Sequence, residues 1–119
     1  MKVERLSFPA LKKILTGQIS EKATCVVKFY SNGCHYCHAL KEYYEDIADT
    51  YDDIYFFAFN IDDTKEVDKY LDLNGVPSIA LIDNKSLSPK VHLLEDPQDP
   101  NKHTWYRTKD IRNFIETNK

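Results

Sequence analysis

Ser31-Asn32-Gly33-Cys34-His35-Tyr36-Cys37-His38 marks the point where an apolar, β-branched run gives way to a helical repeat. Thr24-Cys25-Val26-Val27-Lys28-Phe29-Tyr30, just before it, reads as a buried strand. Leu40, Tyr44, Ile47, Ala48 and Tyr51, after it, recur at helical spacing and predict a helix over 34–50. Cys34 then falls in the first turn and Cys37 one turn further on. Unpaired N–H groups and the helix dipole stabilise an anion at such a place, so a thiol there has a lowered pKa and becomes a nucleophile near neutral pH. A second thiol three residues later can close a small disulfide ring, and the pair can cycle between dithiol and disulfide by thiolate exchange. Cys34 is the candidate attacking thiol and Cys37 the candidate resolving thiol.

Composition narrows the classes of function. The 119 residues suit one domain of residues 1–119 with a modest core. The net charge is −3, and the charged side chains are interleaved, with no basic stripe for nucleic acid. No apolar run approaches membrane-spanning length, and Met1 to Arg5 lack the core of a signal peptide. Three cysteines make an odd count, which argues against a secreted disulfide framework and for a reducing cytoplasm. Cys25, inside its strand, reads as a small buried hydrophobe. A monomer is expected.

Along the rest of the chain, Lys2 to Ser7 reads as a short edge strand. Phe8, Leu11, Ile14 and Leu15 follow on a helix capped by Ser7, with Pro9 in its first turn and Gly17 at its end. Asp53 to Ile61 is the most apolar run and predicts a strand buried on both faces. Val67, Tyr70 and Leu71 predict a short helix between an Asp63 or Thr64 cap and Asn74-Gly75. Ser78 to Ile82 and Val91 to Leu94 read as an antiparallel pair, followed by a polar loop over 95–102 and a helix capped by Thr108. Strands alternate with helices early and a hairpin comes late. That order predicts an α/β fold with a mixed five-stranded sheet flanked by four helices.

Several of these pieces occur together in one family. Val27-Lys28-Phe29-Tyr30, Cys34-His35-Tyr36-Cys37, Asn60-Ile61-Asp62 and Gly75-Val76-Pro77-Ser78 stand in order and at matching distances, and the chain resembles the thioredoxin superfamily over almost its full length. The pattern is closer to thioredoxin and protein disulfide isomerase domains than to glutaredoxins. The 95–102 loop and Thr104-Trp105-Tyr106 are similar to thioredoxin-like proteins of marine phages, which would place the chain in a host cytoplasm. The resemblance implies a thioredoxin fold and a thiol–disulfide oxidoreductase without a dissociable cofactor. Its partners would be protein disulfides and a thioredoxin reductase or the glutathione system. It also implies a cis bond before Pro77 beside the thiols, with Val76 backbone pairing to an extended substrate.

The departures from that pattern bear on mechanism. Gly33 stands where the family has tryptophan, which opens the recognition surface. Glu42 replaces a kink proline, so the helix is expected to run straighter. Lys28 stands where the family has a buried carboxylate. As an ammonium it would stabilise a Cys37 thiolate, and as a neutral amine it could take the thiol's proton. Its stem could equally pack on the sheet with the head in solvent. His35, as a cation inside the cysteine ring, would stabilise the Cys34 thiolate, and Tyr36 would frame the substrate.

Other chemistries remain open at this level. Cys34-His35-Tyr36-Cys37-His38 has the C-x-x-C-H form of c-type haem attachment, although the single methionine, Met1, leaves no His/Met ligand pair. A zinc or iron–sulfur site would need a second copy to complete it, as in a glutaredoxin-like bridged dimer. A binding module whose cysteines are incidental is the third alternative. His38 reads as solvated, and Asp62-Asp63 as a strand end entering a helix cap.

Overall fold

The computed structural model describes residues 2–86 and 88–119. Its centre is one sheet of five strands in the order β1-β3-β2-β4-β5. These are β1 (Val3–Arg5), β2 (Thr24–Tyr30), β3 (Ile54–Asn60), β4 (Ser78–Asp83) and β5 (Lys90–Leu93). The first three run parallel, while β4 is antiparallel to β2 and β5 to β4. Strand β2 lies in the middle because both of its faces are apolar: Cys25, Val27 and Phe29 point one way, and Val26 the other. Each face has its own core. On one, α2 (His35–Asp49) and α3 (Thr108–Asn118) bring Leu40, Tyr44, Ile47, Ile111 and Ile115 onto Val26, Phe56 and Leu81. On the other, α1 (Phe8–Leu15) brings Leu11 and Ile14 onto Val27, Phe59 and Ile82.

The N-terminal helix forms as its sequence predicts. Ser7 Oγ accepts from the Ala10 N–H at 3.3 Å, and Gly17 takes the positive φ of 73° just past the helix end. Glu42 brings no break: α2 is a single helix from His35 to Asp49.

Three expectations need correction. The helix expected between Asp63 and Asn74 is absent, so among the described residues three helices flank the sheet and not four. Two short 3-10 turns, Ile61–Asp63 and Glu66–Lys69, stand there. Asn60 caps the first through Asp62 N–H. The second has Lys65 at its N-cap without a side-chain bond, and the extended Thr64 (φ −166°) accepts the Glu66 N–H on its hydroxyl. Val67 and Leu71 still enter the core, while Tyr70 lies outside against Phe8. Strand β3 is not buried throughout, because Tyr55 is exposed and donates its hydroxyl to Glu21. The cap of α3 is Arg107 and not Thr108: the Asp110 carboxylate accepts the Arg107 N–H at 2.9 Å, placing Thr108 inside the helix.

Among the described residues no helix is long and apolar enough to cross a membrane.

Candidate active site

The C-terminal end of β2 delivers the chain to the cysteines. Phe29 and Tyr30 lie in register with Ser78 of β4 and Asn60 of β3, so the loop over 31–33 emerges between two neighbouring strand ends. Asn32 anchors that loop. Its N–H donates to Asp62 Oδ2 (2.8 Å), its side-chain oxygen accepts from Asn60 Nδ2 (2.9 Å), and its carbonyl accepts from His38 Nε2 (2.9 Å). His38 is exposed as expected, but it ties the start of α2 back to the loop and is not simply solvated. Asp62 and Asp63 each have a partner, Asn32 and Arg5 respectively.

Cys34 is the N-cap of α2, and its Sγ accepts the Cys37 N–H at 3.0 Å. Cys34 and Cys37 are joined as a disulfide with their Cα atoms 5.2 Å apart. Cys37 is the more buried of the two, at 2% exposure against 9%. That asymmetry places the outer sulfur on the N-terminal residue. Cys25 is buried on the opposite face of β2, and burial pushes its thiol up to about 11.

Residues that the sequence singled out surround this pair to different degrees. Gly33 is exposed, and a Cβ there would stand in open space. Pro77 is buried behind a cis Val76–Pro77 bond at the start of β4, and Val76 is half-buried. Gly75, just before them, has a φ of 138° that L side chains rarely adopt. His35 is exposed, with its ring edge-on to Tyr36 at 5.9 Å between centroids.

Lys28 is buried in the sheet. It shares the α2 face of β2 with Val26 and is only 4% exposed. Its Nζ stands 5.2 Å from the centre of the Tyr44 ring and 5.7 Å from that of Tyr30. With Cys37, His38, Lys41, Tyr44 and Glu45 it lines a cavity of about 310 Å³. Burial lowers its pKa to about 8; Glu45 opposes this shift and Lys41 adds to it. Tyr44 holds the cavity floor, donating its hydroxyl to the carbonyls of Phe57 (2.7 Å) and Val26 (3.1 Å).

The family profile described as Thioredoxin matches residues 9–115. The chain belongs to the thioredoxin family. Thioredoxin 1 of Plasmodium falciparum is 26% identical over 80 residues, which are 62% of this chain and 77% of that protein. Among solved structures, the J-Trx1 fragment of ERdj5 superposes with a TM-score of 0.71 at 16% identity, covering 98% of this chain and 49% of that one. This chain therefore spans about half of that fragment. The thioredoxin of Malassezia sympodialis superposes at 0.70 with 15% identity, covering 98% and 93%. At these identities the structural matches establish the thioredoxin fold.

The sequence marks one residue packed on Tyr36 only within Thr104-Trp105-Tyr106, and not as part of the site. Trp105, in the polar connection before α3, packs on Tyr36 with ring centroids 5.5 Å apart. Its only local hint is being the single tryptophan of the chain. Nor do the C-x-x-C-H residues collect as metal donors: among the described residues no three His, Cys, Asp or Glu side chains are grouped for an ion.

Proposed function

We propose that this member of the thioredoxin family is a dithiol–disulfide oxidoreductase acting on protein disulfides. The observation that carries this reading is the place of Cys34, at the N-cap of α2 with its sulfur accepting a helix N–H and bonded to Cys37. After reduction, the same donor and the helix dipole favour the thiolate over the thiol.

The reduced Cys34 thiolate attacks one sulfur of a substrate disulfide, and the other sulfur leaves as a thiolate that takes a proton. Cys37 then gives up its proton and attacks Cys34. The Cys34–substrate bond breaks, the second substrate thiol is released, and a Cys34–Cys37 disulfide remains. Two electrons and two protons have passed to the substrate. A reductase or the glutathione pool would return them. Cys25, buried in the core without a partner, fits a reducing compartment.

Lys28 would serve as the proton carrier for Cys37. It lines the same cavity, and burial keeps its amine neutral in part of the molecules near pH 8. Once protonated it would stabilise the Cys37 thiolate by charge. His35 would act on Cys34 from inside the ring. Tyr36, Gly33, Val76 and Pro77 would present the substrate, because Ser78, next to Pro77, lies in register with Phe29 just before the cysteine loop.

The test is insulin reduction with dithiothreitol as electron source, comparing wild type with Cys34→Ser. Loss of the catalysed rate supports the assignment. An equal rate in both proteins would show that the cysteines do not carry the activity.

A further inference from the structure

We propose that Trp105 is a specificity-determining residue which, together with Tyr36, receives an apolar or aromatic side chain next to the substrate's disulfide. This rests on the oxidoreductase reading above and adds to it the kind of peptide that is preferred. Trp105 is the one described non-glycine residue with a positive φ, 66°. A bulky side chain is strained in that region and persists there only when its surroundings enforce it.

The enforcement is visible. Trp105 N–H donates to the Asn101 carbonyl and the Asn101 N–H donates to the Trp105 carbonyl, both at 3.0 Å. Asn101 Oδ1 also accepts from the His103 and Thr104 N–H groups. Tyr106 N–H donates to the Thr104 carbonyl at 2.8 Å, closing a three-residue turn around Trp105. Thr104 Oγ1 braces the same turn by donating to the Tyr106 carbonyl at 2.7 Å. The loop thus spends its hydrogen bonds on holding one backbone position.

The strained turn sets an aromatic ring against the residue between the cysteines. The indole meets Tyr36, which lies between the two cysteines, and Tyr36 meets His35. On its other side the indole Nε1 faces Asp96 Oδ1 at 3.4 Å. Asp96 lines a small cleft with Asn74 and Ser78, the residues that bracket Gly75-Val76-Pro77. Trp105 therefore joins Tyr36 of the C-H-Y-C ring to Asp96, which lines the cleft next to the Pro77 turn. Both residues are only half-buried, which leaves part of each open to a partner. Gly33 offers no side chain that would compete for this role. A residue needed only to plug the start of α3 could lie in ordinary backbone geometry, as buried Tyr106 does next to it.

The experiment uses the pre-reduced full chain and two mixed disulfides of thionitrobenzoate, one with the peptide Gly-Phe-Cys-Gly and one with Gly-Gly-Cys-Gly. The second-order rate constant of each is read from the colour released. Wild type is expected to favour the phenylalanine peptide by about tenfold, the scale of one buried aromatic contact. That ratio falls to near one in Trp105→Gly, which suits the positive φ, and returns towards wild type in Trp105→Phe. Should Trp105→Gly fail to fold by circular dichroism, Tyr36→Ala removes the other ring of the pair and is read in the same way. A wild-type ratio near one, or a ratio unmoved in Trp105→Gly, overturns the proposal. Failure of the oxidoreductase reading looks different: Cys34→Ser and wild type would then release colour at the same rate from both peptides.

Discussion

Lys28 Nζ stands 5.2 Å from the centre of the Tyr44 ring, inside the cavity that Cys37 also lines. A cation there faces an aromatic ring, and burial brings its pKa from 10.5 to about 8. A shift of that size corresponds to about 3 kcal/mol against the charged amine in the folded state. Between pH 8 and 10.5 the unfolded chain holds more protons at this site than the folded one, so this group's contribution to stability rises with pH across that window. Lys28→Met is expected to stabilise the oxidised protein at pH 7 by about 1–3 kcal/mol. The advantage should shrink as the pH approaches 10. Urea unfolding of both proteins at pH 7 and pH 9.5 checks this, and a constant gap would mean that Lys28 is not held against its charge.

The same substitution should impair chemistry while improving stability. If Lys28 carries the Cys37 proton, Lys28→Met slows resolution of a mixed disulfide by about tenfold or more at pH 7.5. The alkaline rise of the resolution rate should also move upward, because the Cys37 thiol would then have to ionise unaided. Stopped-flow mixing of a preformed Cys34 mixed disulfide reads both effects. An unchanged pH profile would leave Lys28 as a packing residue.

Cys37→Ser should stall after the first step. Its Cys34 thiolate can still attack, but no resolving sulfur remains, so mass spectrometry should find the substrate attached to Cys34. Multiple turnover is expected below about a thousandth of wild type. Recovery of an adduct on Cys25 would contradict the burial of that thiol.

Two buried tyrosines should respond oppositely to the loss of a hydroxyl. Tyr44 donates to the Phe57 and Val26 carbonyls, so Tyr44→Phe is expected to cost about 1–2 kcal/mol. The Tyr106 hydroxyl is equally buried but has no hydrogen-bond partner. Tyr106→Phe should therefore be neutral or stabilise by up to about 1 kcal/mol. Thermal unfolding of the two variants side by side decides the signs.

Cys25 should be silent in the native protein. Its thiol is buried and pushed up to about 11, so iodoacetamide at pH 8 should leave it unmodified. In the oxidised protein, urea should then expose a single reactive thiol. Rapid labelling without denaturant would mean that the face of β2 under α1 opens readily.

The sequence made much of this molecule legible where a signal is local. Strand β2 and helix α2 announce themselves because an unbroken apolar run passes directly into a 3.6-residue repeat, with the cysteines at the junction. The direction of Lys28 was also available in principle, since strand alternation puts it on the face of Val26; only the depth of its burial needed the structure. The segment after β3 misled because Val67, Tyr70 and Leu71 have helical spacing, yet only the 3-10 turn Glu66–Lys69 forms there. Trp105 was illegible for another reason. Its partner Tyr36 is far away in sequence, and no periodicity links a loop tryptophan to a helix start. The bond from His38 to the Asn32 carbonyl likewise reverses the chain direction and leaves no pattern.

The hydrogen bonds that hold Trp105 run almost wholly within residues 101–106, while those that set the cysteine ring run through Asn32, Asn60, Asp62 and α2. The two sets share no residue. The loop is therefore tied to the redox couple by ring packing, Trp105 on Tyr36 and Tyr106 in the core under α2, and not by hydrogen bonds. A lineage that keeps those two rings is free to vary the polar residues that hold them.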